Sequence, residues 1–177
     1  MAFGLVGSSP TRGTITIISY RGLAQLVERA VWDREVEGSS PLSPTMNDCI
    51  FCKIVKGEIP AAKIWEDESF LAFLSIQPIN PGHTLVIPKK HVPYIFDLDD
   101  QTLGDLIVKC KPIARALKEI FKPASGKIGV MVMGGEVPHV HVHLVPMEEE
   151  SDLRKLPQSV SFEQLEKEAA EIRKALS

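Results

Sequence analysis

Cysteine is scarce in this chain: 3 in 177 residues, two of them as Cys49-x-x-Cys52. That is no disulfide framework, and it points to a reduced compartment with a metal clip. Long apolar runs are missing too, since none reaches the 18 residues a membrane helix needs. The N-terminus has no basic patch followed by an apolar block and cleavage site, so no secretory signal is expected. Neither charge dominates, with 20 basic against 23 acidic residues and a net charge of −3. Neither a nucleic acid nor a membrane is therefore expected as a partner. These absences predict a soluble, cytoplasmic protein of one domain, with or without an appendage.

Histidine is also rare, but it is concentrated. Of five in the chain, three fall within five residues, in Pro138-His139-Val140-His141-Val142-His143-Leu144-Val145-Pro146. Apolar alternation with β-branched residues reads as a strand, whose side chains point alternately to opposite faces. His139, His141 and His143 then share one face, while Val140, Val142 and Val145 are expected to meet a core. Three imidazoles in a row are costly to bury without partners. Imidazole both binds metals and moves protons near neutral pH, so a metal site or a histidine-based catalyst is expected. Two chemistries remain open from the residues alone. A neutral imidazole can attack phosphorus and form a nucleotidyl-histidine, or the row can hold a catalytic metal.

Residues 1–45 read apart from the rest, and contain neither histidine nor cysteine. They are expected to be a disordered extension or a mis-called reading frame, with translation starting at Met46. The domain is expected over 46–150, followed by a tail over 151–177 with an amphipathic helix. A short helix is predicted over 47–57, opened by capping residues and closed by Gly57, and strands over Lys63–Glu66 and Phe70–Leu74 with a turn between them. A rigid turn-rich loop should precede another strand over 83–88. A long helix is predicted over 99–121, capped by Asp99 or Asp100. Its apolar stripe is Leu103, Leu106, Ile107, Cys110, Ile113, Ala114 and Leu117, with Pro112 as a possible kink. A strand over 127–133 and a helix over 161–176 complete an α+β domain: an antiparallel sheet with a long helix and a C-terminal helix. Cys49 and Cys52 form a zinc half-site, and His91 and His139 are the natural candidates for the second pair.

Three motifs, taken together, resemble the histidine triad (HIT) family of nucleotide hydrolases and transferases. They are Cys49-Ile-Phe-Cys-Lys-Ile-Val-Lys-Gly-Glu-Ile-Pro60, Pro81-Gly-His-Thr-Leu-Val-Ile-Pro-Lys-Lys-His91 and His139-Val-His-Val-His-Leu-Val145. The resemblance implies a HIT-like fold and His141 as the nucleophile toward an α-phosphate. It implies His143 as the neighbour contacting phosphate and leaving group, and His83 as a hydrogen-bonding partner within the triad. Phe51, Ile54, Phe73, Ile76 and Leu85 match positions lining the base and ribose pocket. Members with C-x-x-C carry structural zinc, here on Cys49, Cys52, His91 and His139. No organic cofactor is implied, and a homodimer is, with the long helix and sheet edge at its interface.

Two departures stand out. Ser75 occupies a place where the family often has a ribose-binding aspartate. The loop Met133-Gly134-Gly135-Glu136-Val137-Pro138 lacks the family's asparagine and glutamine, leaving Gly134 and Gly135 backbone groups for the phosphate. The expected function is hydrolysis or transfer of a nucleoside monophosphate group. Its substrate would be a purine nucleoside phosphoramidate, an aminoacyl-adenylate or a dinucleoside polyphosphate. The alternative is a non-catalytic nucleotide- or partner-binding module of the same fold.

Overall fold

A computed structural model describes residues 49–177. The expected extension over 1–45 and the start at Met46 lie outside the described residues. The elements run α1 (Ile50–Lys56), β1 (Lys63–Glu66), β2 (Phe70–Leu74), β3 (Thr84–Pro88), a 3-10 turn (Ile95–Asp97), α2 (Asp100–Phe121), β4 (Lys127–Val132), β5 (Val142–Met147), a second 3-10 turn (Glu150–Arg154) and α3 (Phe162–Leu176). The strands form an antiparallel sheet in the order β1-β2-β3-β5-β4. The class is α+β, as the element pattern predicts.

The sheet is buried on both faces at its centre, and β2 and β3 are buried at every position. One face carries Ala72, Leu74, Val86, Val142 and Leu144, packed with Leu106, Ile113 and Leu117 of α2 and Leu165, Ala169 and Ile172 of α3. The other carries Leu71, Phe73, Leu85 and Ile87, packed with Phe51, Cys52 and Ile54 of α1. The site is built on this second face, where α1 and the loops meet the sheet.

Local chemistry sets the helix ends. Asp99 caps α2, its Oδ1 accepting from the Thr102 amide at 2.8 Å. Ser161 caps α3 by accepting from the Gln164 amide. Gly57 closes α1 at φ 77°, in the left-handed region that glycine enters without a Cβ penalty.

Several expectations need correction. The histidine strand begins only at Val142, so His139 and His141 precede it. There the backbone leaves the ladder, and the Val140 amide bonds to the Val92 carbonyl at 2.8 Å. Val145 lies on the His143 side, as a two-residue period requires, in a cluster with Ile79 and Met147. Ile107 is 45% exposed and leaves the core stripe, which instead takes in Ala116. Pro112 does not break α2. It sits on the exposed side, and the carbonyl its missing N–H would have bonded belongs to Val108, also exposed.

Candidate active site and metal centre

The three histidines of the motif do not converge on one point. His139 turns away into a cluster with the cysteines, while His141 and His143 stay together, their ring centroids 4.9 Å apart. Two adjacent sites result.

The first is the metal centre. The Cys49 and Cys52 Sγ atoms and the ring nitrogens of His91 and His139 all lie within 4.8 Å of one another. Sγ of Cys49 is 3.4 Å from His139 Nδ1, and Sγ of Cys52 is 3.3 Å from His91 Nδ1. A tetrahedral zinc with Zn–S of about 2.3 Å and Zn–N of about 2.0 Å sets such S···N edges at roughly 3.5 Å. His139 Nε2 donates to the Pro88 carbonyl at 2.8 Å, which leaves Nδ1 as the ligand nitrogen. Burial, with Cys49 beside it, pushes the Cys52 thiol up to about 11. A divalent cation supplies the positive charge that would ionise the pair. Four soft or borderline protein donors, with Cys49, Cys52 and His139 buried, make a closed structural zinc site.

The second site is a chain of imidazoles, and its tautomers follow from its partners. The Ile79 amide donates to His83 Nδ1 at 3.1 Å. His83 Nε2 must then carry the proton, and it lies 2.9 Å from His143 Nδ1. His143 Nδ1 therefore accepts, and the remaining proton of His143 sits on Nε2. That Nε2 is buried and meets no hydrogen-bond partner among the described residues. A buried N–H without a partner is costly, and it marks a donor reserved for something that binds there.

His141 is set the opposite way. Its Nδ1 donates to the His139 carbonyl at 2.6 Å, which makes Nε2 the lone-pair nitrogen. Burial lowers its pKa below the ordinary imidazole value, against the opposing pull of the His139 carbonyl and Glu136. Burial likewise holds His83 down to about 3 and His143 down to about 4. All three rings are neutral at pH 7, so the site presents a lone-pair nitrogen beside a hydrogen-bond donor.

Phe51 links the two centres, with its ring edge-on to His141 at 5.1 Å, His139 at 5.8 Å and Phe73 at 5.6 Å. Phe51, Ile54, Phe73 and Leu85 share one apolar cluster. Ser75 joins the His83 side, its amide donating to the His83 carbonyl at 2.9 Å. Ile76 stands apart and is exposed, and Gly135 is exposed on the loop with open space around it. Two participants were not singled out from the sequence: the Ile79 amide, and the carbonyl of Pro88 within the second motif. Each acts through its backbone, so side-chain identity gives no signal for either.

The family model for the HIT domain matches residues 56–150. The chain belongs to the HIT family. Among HIT relatives, the protein Hit of Bacillus subtilis is 41% identical over 106 residues, 56% of this chain and 70% of its own length. An adenosine 5′-monophosphoramidase of Saccharomyces cerevisiae is 43% identical over 105 residues, 58% of this chain and 64% of that protein. A zinc-bound histidine triad protein from Mycobacterium smegmatis superposes with a TM-score of 0.62 at 34% identity, over 72% of this chain and 92% of that one. The HIT relatives include proteins named as an adenosine 5′-monophosphoramidase and an adenylylsulfatase, and the fold of this chain matches solved HIT structures.

Proposed function

We propose that this HIT protein hydrolyses or transfers a nucleoside monophosphate group through a covalent nucleotidyl-His141. The observation that carries the reading is the opposed tautomers of His141 and His143. Attack by His141 Nε2 on the α-phosphorus forms a P–N bond and breaks the bond to the leaving group. The ring becomes cationic as the bond forms, and its Nδ1–H already points at the His139 carbonyl, which stabilises that charge. His143 Nε2–H is placed to donate to a phosphoryl or leaving-group oxygen or nitrogen. Water then attacks phosphorus, restores neutral His141 and releases the monophosphate. The leaving group takes its proton from solvent while His143 hydrogen-bonds to it, and the attacking water returns one proton to solvent, so the protons balance.

The apolar cluster of Phe51, Ile54, Phe73 and Leu85 suits a purine base. With Ser75 in place of a carboxylate, the ribose contact is a hydroxyl. Ile76 and Gly135 are assigned to the mouth of the site, where Gly135 offers a backbone amide to phosphate. Nucleoside phosphoramidates, aminoacyl-adenylates and dinucleoside polyphosphates all present the required α-phosphorus. Zinc, held by Cys49, Cys52, His91 and His139, fixes α1 against the histidine segment and takes no part in the steps.

We assign the active form to a homodimer in the cytoplasm. Val130, Val132, Met133, Tyr94 and Phe96 are exposed apolar residues on or beside the free edge strand β4, and a second copy would cover them. Sedimentation at micromolar concentration tests the dimer.

The test of the chemistry is AMP release from adenosine 5′-phosphoramidate and from a diadenosine polyphosphate, beside His141→Ala. Loss of turnover in the variant and an AMP adduct on His141 by mass spectrometry are expected. Full activity in His141→Ala would sink the mechanism. Binding of AMP without turnover on any such substrate would favour the nucleotide-binding module instead.

A further inference from the structure

The loop that carries His83 is tied at alternate residues to the end of β5 and to the chain that follows the HIT match. The Gln158 amide donates to the Pro78 carbonyl at 2.9 Å. The Asn80 side-chain amide donates to the Pro146 carbonyl at 2.7 Å and to Asp152 Oδ2 at 2.8 Å. The Gly82 amide donates to Glu168 Oε2 at 3.2 Å. Between these ties lies the machinery of His83. Its own amide bonds to the Asn80 carbonyl at 3.1 Å, and its ring accepts from the Ile79 amide.

The central tie is a built polar site. Asn80 is 9% exposed and Asp152 is 0% exposed. Asp152 Oδ2 also accepts from the Glu148 and Glu149 amides at 2.6 and 3.2 Å, and Oδ1 pairs with Lys155 Nζ at 2.5 Å. An isolated buried carboxylate would be expensive; here Oδ2 takes three hydrogen bonds, and Lys155 supplies the opposite charge beside Oδ1. Apolar packing would hold the loop in place. Directional bonds on both sides of Ile79 and His83 also hold its orientation.

Orientation matters because the tautomer chain begins at one amide. If the Ile79 N–H turns away, His83 is free to place its proton on Nδ1. Its Nε2 then becomes an acceptor, His143 Nδ1 must donate, and His143 Nε2 becomes a lone pair. The face presented to substrate changes from donor to acceptor with no heavy atom of either ring displaced.

We propose that Asn80 and Asp152 are positioning residues for catalysis: they hold the Ile79 amide on His83 and so keep the outward proton on His143. The assignment rests on the histidine-nucleophile reading above. Its test has a part that does not depend on that reading. In the full-length, zinc-loaded chain, nitrogen-15 spectra of the histidine rings report which nitrogen carries each proton.

The parent protein should show Nε2–H on both His83 and His143. Asn80→Ala should give mixed tautomers at both rings. It should also lower kcat on adenosine 5′-phosphoramidate by about ten- to hundred-fold with KM within roughly threefold, as misplacement of a reacting group does. Unchanged tautomers in folded Asn80→Ala would overturn the proposal, whatever the activity. If that variant does not fold, Asp152→Asn weakens the same tie with little change of side-chain size, and mixed tautomers are again expected and unchanged ones fatal. If the parent turns nothing over, the proposed function fails, and the ring spectra alone decide the positioning role.

Discussion

His83 Nε2 and His143 Nδ1 lie 2.9 Å apart, although 60 residues separate them in the chain. The sheet makes the meeting possible. In the β3–β5 ladder Leu85 faces His143, so the residue just before β3 arrives beside that ring. The direction of the bond is set further back, by the Ile79 amide on the other nitrogen of His83.

The first prediction follows from that bond. His83→Ala removes the donor that fixes His143 while leaving His141 in place. Turnover should fall by roughly 10²–10³, the size of a lost general acid–base or orienting contact. The AMP adduct on His141 should still form, more slowly. Rapid-quench measurement of adduct formation checks this, and a variant with parental rates would show that His143 needs no orientation.

Metal removal gives the second. Without a cation, two buried sulfurs and two imidazole nitrogens face one another within 4.8 Å with nothing to hold them together. The chain keeps its large core on α2 and α3, so chelation should loosen the fold and leave it formed. The midpoint of thermal unfolding should drop by roughly 10 °C or more, and activity should decline with it. Calorimetry with and without chelator, followed by zinc back-titration, checks both. Abolished activity with an unchanged midpoint would instead point to a catalytic ion.

Much of this was legible in the sequence. The two strands Lys63–Glu66 and Phe70–Leu74 match the expected bounds, because short apolar stretches on either side of the Asp67-Glu68-Ser69 turn agree. In that turn Asp67 Oδ1 accepts from the Ser69 and Phe70 amides. The Cys49, Cys52, His91 and His139 group was likewise readable, since zinc restricts donor type and spacing. What stayed hidden was set by distant partners. The apolar alternation of 139–147 is the same whether a neighbour strand is present or not, so the late start of β5 has no local mark. The Asn80–Asp152 bond spans 72 residues and joins two residue types that are ordinarily exposed.

Acid should destabilise the folded chain in a predictable window. His83 and His143 are held at about 3 and 4 in the fold, chiefly by burial. In the unfolded chain both titrate near 6.5. Between pH 6.5 and about 4 the unfolded state binds protons that the folded state refuses. Stability from these groups is therefore complete above 6.5 and is lost as pH falls, by up to about 1.4 kcal/mol per pH unit for each ring. Urea unfolding at pH 7, 6 and 5 measures the slope. His83→Gln, which cannot titrate, should show a shallower slope than the parent. Equal slopes would mean that His83 is protonated in the fold.

Two glycines with nearly the same backbone separate strain from crowding. Gly57 has φ 77° and open space around it, while Gly82 has φ 78° and faces the ring of Phe121. A Cβ at Gly82 would lie 2.6 Å from Phe121 Cδ2. Gly57→Ala should cost only the left-handed backbone penalty, about 1–2 kcal/mol. Gly82→Ala adds overpacking of about 1–3 kcal/mol against the half-buried Phe121 ring at the end of α2. Gly82 also precedes His83 and donates to Glu168, so its shift moves the histidine pair. Denaturant midpoints should therefore fall further for Gly82→Ala than for Gly57→Ala, and kcat should fall only in the first. Equal midpoints would show that Phe121 moves aside freely, and an unchanged kcat would show that the loop's position is not passed on to His83.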